Sequence, residues 1–245
     1  MKNTVIQGDC LEVMKGMAEN SVDLIIFSPP YNKSFYDKRK KQGGINDVWK
    51  QRKIQYATFS DNLEPEKYIS WQKEIITECL RVLNKKGSLF YNHKAFSHKH
   101  LLVYPKYVFD FPLKQIITWD RGSSPQINPC RFYPTTELIF WFSKTATQPY
   151  FNNKEINHKK EIWRINAKPM KEHPAPFPEE LVENIILSCS KENDTILDPM
   201  AGSGTTLKMA KKNNRNYIGI EISQEYIDII NKRLSTPPSN KGGDY

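Results

Sequence analysis

The stretch Ile196-Leu197-Asp198-Pro199-Met200-Ala201-Gly202-Ser203-Gly204-Thr205-Thr206, with its continuation to Glu221, decides the fold. Thr195 to Leu197 is a short apolar run of the kind that forms a buried parallel strand. Asp198-Pro199 ends it, because proline cannot continue a ladder. Gly202-Ser203-Gly204 predicts a tight turn, and Thr205-Thr206 a cap for a helix over Leu207–Lys212. Tyr217–Ile220 is a second apolar run and ends in Glu221. An acidic residue about 20 positions past a strand, glycine loop and helix start is where a doubly wound sheet holds a ribose. Glycine allows backbone to approach a ligand closely, and free N–H groups at a helix start face it. A glycine loop alone suits an ordinary helix start equally well; the acidic strand end favours the ligand. Such a unit normally opens a sheet, yet here a single helix follows it. Either the sheet is very small or its remaining strands lie earlier in the chain.

They are visible there. Val5-Ile6-Gln7-Gly8-Asp9 is a short strand ending in an acid, and a helix is expected over Cys10–Met17. Val22–Phe27 is a strongly apolar strand that stops at Ser28-Pro29-Pro30-Tyr31. Two prolines make this a rigid loop at the carboxyl end of a strand, where open α/β sheets bind ligands. Glu64–Leu83 predicts an amphipathic helix with Pro65 in its first turn. Its stripe of Tyr68, Trp71, Ile75, Ile76, Cys79 and Leu80 reads as sheet packing, and Lys85-Lys86-Gly87 as its end. Ser88–Tyr91 is the next strand, and Leu113–Trp119 and Glu137–Phe142 read as two antiparallel ones. The sum is a seven-stranded mixed sheet with helices on both faces.

These pieces carry a resemblance. Ser28-Pro29-Pro30-Tyr31 is similar to the catalytic motif of DNA amino-methyltransferases, and Asp198 to Thr206 resembles their AdoMet motif, usually written DPFxGSGTT. Met200 stands where the family commonly has Phe, and a thioether fills similar apolar space. His173-Pro174-Ala175-Pro176-Phe177-Pro178 resembles the segment that precedes that motif. With the catalytic motif first and the AdoMet motif last, the chain resembles the β group over about residues 3–234. The resemblance implies a permuted AdoMet-dependent methyltransferase (Rossmann-like) α/β fold with a small target-recognition insertion. It implies one catalytic domain, 1–144 and 172–234, interrupted by a recognition region at 145–171 and followed by a disordered tail at 235–245. It implies catalysis by Ser28, Pro29, Pro30 and Tyr31. It places the adenine amino group at Asp9, the ribose at Glu221, and the methionine end among Asp198, Gly202, Gly204 and Thr205 with Phe177 nearby. Cys10, Pro199, Met200, Thr206 and Ile222 fall along the same site, Cys10 chiefly as packing. Serine in the first position of the catalytic motif points to N4 of cytosine in duplex DNA, with N6 of adenine as the alternative. It also implies the modification arm of a restriction–modification system, paired in function with an endonuclease, and often a homodimer.

Composition agrees. The 245 residues are enough for one α/β domain with an inserted lobe. The formal net charge of +9 suits a polyanionic partner, and equally a solvated basic surface. The cysteines Cys10, Cys79, Cys130 and Cys189 are scattered and form no CxxC pair, so neither zinc nor a disulfide framework is expected. No apolar run approaches the roughly 18 residues of a membrane span, and no signal peptide is visible; a cytoplasmic protein is expected.

Other stretches bear on substrate and on rival chemistries. The charged stretch Lys33–Asp61 reads either as a mobile loop that orders on DNA and closes over the target base or, equally, as a solvated insertion. Residues 145–171 hold Asn152, Asn153, His158, Lys159, Lys160, Arg164 and Asn166, side chains that read bases or hold phosphates, and 121–136 is the second candidate. Pro129-Cys130 matches the dipeptide of cytosine-C5 enzymes, but it lies outside their motif order and reads as structural. His93, His98 and His100 read as surface histidines without the partners a metal needs. RNA or protein methyltransferases, and a non-catalytic DNA-binding subunit, are the rival classes.

Overall fold

The computed structural model of the chain describes residues 2–32, 35, 62–99, 101–122, 130, 132–145, 148–154, 156–166 and 177–236. Its elements in order are β1 (Thr4–Gln7), α1 (Cys10–Lys15), β2 (Val22–Phe27), α2 (Pro65–Val82), β3 (Leu83–His93), β4 (Phe96–His98) and β5 (Leu101–Val103). A 3-10 helix (Lys106–Asp110), β6 (Leu113–Asp120), β7 (Thr136–Ser143), β8 (Ile162–Arg164) and α3 (Glu179–Cys189) follow. The chain closes with β9 (Thr195–Asp198), α4 (Thr205–Lys212), β10 (Asn216–Glu221) and α5 (Gln224–Ser235).

The main sheet runs β1-β10-β9-β2-β3-β7-β6-β8. It has eight strands where seven were expected. The extra one, β8, lies inside the stretch read as loop; three residues, Ile162-Trp163-Arg164, are too short to show a period. The two strands read as antiparallel, β6 and β7, pair antiparallel with each other. Only β7 runs against the sheet; β6 pairs antiparallel with β7 and so points the same way as β3. The break expected at Lys85-Lys86-Gly87 does not exist. The helix ends at Val82, and Leu83 is already in strand, paired with Val22. Gly87 sits inside β3 because an added Cβ would lie 2.7 Å from the Asp23 carbonyl oxygen.

The central strands are apolar because both of their faces are covered. Along β2, Ile25 and Phe27 enter one core with Met14 of α1, Ile75, Ile76 and Cys79 of α2, and Tyr91 and Phe140. Leu24 and Ile26 point to the other face, against Leu181, Ile185 and Ile186 of α3, Met209 of α4, and Trp119, Trp141 and Trp163. Alternation by two therefore feeds two cores from one strand.

The first strand of the chain lies beside one of the last. β1 pairs parallel with β10, Thr4 with Ile218 through Gln7 with Glu221. β2 pairs parallel with β9, Leu24 with Ile196 and Ile25 with Leu197. Connections leave this central pair in opposite directions, which makes the gap beyond Phe27 and Asp198 the switch point of the sheet. Ser235, read as the first residue of the tail, is the last residue of α5. Residues 237–245, most of 33–61, 123–129, His100 and 167–176 lie outside the described residues.

Gly219 tests this packing. It sits on β10, where an added Cβ would overlap the side chain of Leu207, which is fully buried in α4. Gly219→Ala should destabilise the fold by about 1–3 kcal/mol, read as a lower urea midpoint at unchanged slope.

Candidate active site

A cavity opens at the switch point, with about 1150 Å³ of free space including its mouth. Its walls bring together Asp9 and Cys10 after β1, Ser28 to Tyr31 after β2, Asp198 to Gly202 after β9, Thr205 and Thr206 of α4, Glu221 and Ile222 after β10, and Phe177. These segments come from both ends of the sequence and meet because their strands are neighbours in one sheet. Of the expected site residues, Gly204 alone stands outside the cavity wall. It is the N-cap of α4, at φ +77, and an added Cβ would lie 2.8 Å from Ile230. Its role is to turn the chain into the helix against α5. The caps expected at Thr205 and Thr206 are corrected accordingly: both residues are already helical and nearly fully buried.

Each acidic group accepts from backbone amides at its own turn. Asp9 caps α1, its Oδ1 accepting from the Leu11 and Glu12 amides at 2.9 and 3.2 Å. A carboxylate has further lone pairs, so capping leaves capacity to accept from a ligand in the cavity it lines. Glu221 braces the glycine loop: Oε2 accepts from Gly202 N at 2.8 Å and Oε1 from Ser223 N at 3.0 Å. Burial raises its pKa, and those amides hold the rise in check. Asp198 is buried more deeply. Its Oδ1 accepts from Met200 N at 3.1 Å, and burial pushes its carboxyl up to about 7, with the Glu221 charge adding to the rise. Thr206 Oγ1 faces it outside good hydrogen-bond geometry and is buried without a partner among the described residues. Cys10, beside them, is pushed up to about 12 by burial and by Asp9, which suits packing and not nucleophilic work.

One buried carboxylate (Asp198), one half-buried (Glu221), an orphaned hydroxyl and apolar walls of Trp71, Phe177 and Tyr226 can receive a ligand that carries a cation, hydroxyl groups and a flat ring. Trp71 and Tyr226 escaped the sequence reading. Trp71 was absorbed into the helical stripe, and Tyr226 follows Glu221 closely enough that an aromatic in the first turn of the next helix was the available signal.

The proline loop is held from outside. Tyr31 Oη donates to Asn92 Oδ1 at 2.6 Å, and Asn92 in turn donates to Leu138 O at 3.1 Å. Asn32, at φ +56, accepts from Leu63 N and donates to Leu63 O, both at 2.7 Å. Tyr68 Oη donates to Pro30 O at 2.8 Å. His93, read as a surface histidine, is in fact 3% exposed and lies behind this loop; its place at the end of a buried strand overrides its polar composition.

The recognition candidates are divided. Within 145–171, Trp163 is buried and donates to Lys160 O, His158 contacts Glu180, and Asn184 of α3 accepts from the amides of Asn157 and His158. Most of the described part is therefore packing. Arg164 differs: its side chain is 80% exposed, and register sets it beside Asp120 at the same sheet edge as Ser28. In 121–136, Arg121 is spent on Glu137 at 2.9 Å, whereas Phe132 is fully exposed and Tyr133 half exposed.

A sheet of this topology with a proline loop and an acidic, glycine-lined crevice at its switch point defines a methyltransferase of the permuted type. The model of the family N6_N4_Mtase, described as DNA methylase, matches residues 22–232, and the chain belongs to that family. Type II methyltransferase M.HinfI of Haemophilus influenzae is 32% identical over 255 residues, covering 95% of this chain and 68% of that one. Among solved structures, the PvuII DNA methyltransferase (cytosine-N4-specific) shares the fold at a TM-score of 0.73, with 21% identity over 97% of this chain and 88% of that chain. A putative DNA modification methylase of Thermus thermophilus, complexed with S-adenosyl-L-methionine, shares it at 0.66, with 23% identity over 94% and 93%.

The Asn32 clamp can be tested apart from catalysis. Asn32→Ala leaves both backbone groups of Leu63 without their partner, at a cost of about 1–3 kcal/mol. Amide exchange at Leu63 should accelerate while exchange in β2 stays slow.

Proposed function

We propose that this protein transfers the methyl group of AdoMet to N4 of a cytosine flipped out of duplex DNA, as the modification arm of a restriction–modification system. One observation carries this reading: Ser28 to Tyr31 and Asp198 to Gly202 line a single cavity. Asp9 and Glu221 would hold the adenosine, and Asp198, Gly202 and Thr205 the methionine end, with Phe177, Trp71 and Tyr226 as walls. When bound, AdoMet supplies a methyl group on a sulfonium, an activated electrophile.

The chain's own residues prepare the nucleophile. An exocyclic amine has its lone pair delocalised into the base ring. Ser28 Oγ and the Pro29 carbonyl would accept its two hydrogens and so localise that pair for in-line attack. The proline rings fix φ at both positions, so these acceptors are preorganised. Tyr31 would stack on the base, which must leave the duplex to reach the cavity. Ser28 in the first motif position favours cytosine N4. The family name spans both N6 and N4 enzymes, and adenine N6 is the second reading, since either base presents an amine to the same acceptors. Arg164 and the Phe132-Tyr133 segment are the side chains best placed at this edge to meet DNA.

The test is to incubate protein, AdoMet and unmethylated mixed-sequence DNA, digest to nucleosides and identify the product by mass spectrometry. N4-methylcytosine is expected; N6-methyladenine would overturn the base assignment and keep the site. Tyr31→Ala should lower turnover roughly a hundredfold with AdoMet affinity little changed.

Asp198 gives the site a pH dependence with a defined sign. A carboxyl raised to about 7 is largely protonated below that pH and cannot face a cationic ligand as an anion. AdoMet affinity should therefore rise with pH, by roughly eightfold from about pH 6 to about 7.5, by calorimetry. Asp198→Asn should bind weakly and lose the dependence.

A further inference from the structure

We propose that His93 is a positioning residue for the catalytic loop, acting through the Tyr68 hydroxyl on the Pro30 carbonyl. The proposal rests on the assignment of Ser28 to Tyr31 as that loop. Pro29 and Pro30 have no N–H, so nothing can hold their backbone through a donated hydrogen bond; the handles that remain are carbonyl oxygens. With φ fixed by both rings, the loop's shape here reduces to two ψ angles. The second of these sets the plane of the Pro30–Tyr31 peptide and hence the aim of the Tyr31 ring. Tyr68 Oη fixes that plane by donating to Pro30 O at 2.8 Å.

A tyrosine hydroxyl has one hydrogen. Tyr68 Oη also lies 2.9 Å from His93 Nε2. If it spends its hydrogen on Pro30, the second contact is a hydrogen bond only when His93 Nε2 is the donor. The other ring nitrogen, Nδ1, lies 3.1 Å from the Lys94 carbonyl, which can only accept. In the tautomer that carries hydrogen on Nδ1 alone, Nε2 would draw the Tyr68 hydrogen away from Pro30. All three contacts are made together when the ring carries hydrogen on both nitrogens, and a hydrogen on Nε2 favours the Tyr68–Pro30 bond. The pair is built in: Tyr68 is 6% exposed and His93 3%. The ring of His93 is enclosed by Tyr31, Tyr91, Tyr68 and Tyr107, at 5.1 to 6.4 Å between centroids.

The test is a double-mutant cycle of Tyr68→Phe and His93→Leu, with His93→Gln as the conservative variant, because a glutamine amide offers a donor near the place of Nε2. Single-turnover methyl transfer is measured at saturating AdoMet and DNA, together with AdoMet affinity and melting temperature. Tyr68→Phe and His93→Leu should each slow the chemical step about five- to tenfold with AdoMet affinity unchanged. The double variant should be no slower than Tyr68→Phe alone, and His93→Gln should recover most of the rate lost in His93→Leu. A Tyr68→Phe rate within twofold of the unaltered protein would overturn the proposal, as would a double variant whose loss is the product of the two singles. Ser28→Ala separates this failure from failure of the loop assignment. A slow Ser28→Ala beside a normal Tyr68→Phe rejects the positioning role alone, whereas a normal Ser28→Ala rejects the loop on which it stands.

Discussion

The site depends on one short contact, the parallel pairing of Leu24-Ile25 with Ile196-Leu197. Each strand delivers a motif at its carboxyl end and neither motif is complete alone. On the proposed reading, the proline loop supplies hydrogen-bond acceptors and the glycine loop the crevice for the ligand they act on. Side-by-side pairing in the same direction puts both at the same level of the sheet. Every residue that lines the cavity from a third or fourth strand is positioned relative to that pair.

Around the pair, the structure invests in holding loops still. Arg233 of α5 reaches back to Ser203 O at 2.6 Å and to Glu179 at 3.2 Å, joining the glycine turn to two helices. Glu221 grips Gly202 from below. On the other side, Asn92, Tyr68 and the Leu63 backbone fasten the proline loop. Both loops thus have their freedom removed before any ligand arrives, which is the condition for acceptors and carboxylates to act without reorganising. The cost falls on Asp198, kept in a buried place where its charge is poorly tolerated.

Much of this was legible in the sequence because it rests on local rules. Apolar runs ending in Asp-Pro or Ser-Pro-Pro announce strands and where they stop, and an acid after an apolar run marks a ligand-facing strand end. All but one of the residues singled out for the site do line one cavity. What was hidden is what depends on contacts between distant segments. Trp71 and His93 looked like packing and surface because nothing local says which way a helix or strand end will face. Gly204 looked like a ligand contact, but its reason is Ile230 in a helix that has its own period. β8 is three residues long and exists because β6 offers it an edge. Arg121, with the composition of a base reader, is held by a buried glutamate across two strands.

The pairing of Thr4–Gln7 with Ile218–Glu221 has a consequence for how the protein is made. Synthesis runs from the N-terminus, so the ribosome releases the proline loop and its strand long before the two strands that will flank them. Until residues 195–221 have emerged, β2 has one open edge, β1 has no partner in the sheet, and the crevice has no floor. Such long-range closures are slow and leave apolar edges exposed meanwhile. A nascent or truncated chain therefore holds the proline loop but lacks the glycine-loop wall of the crevice, and the cavity closes in one step once residues 195–221 are made.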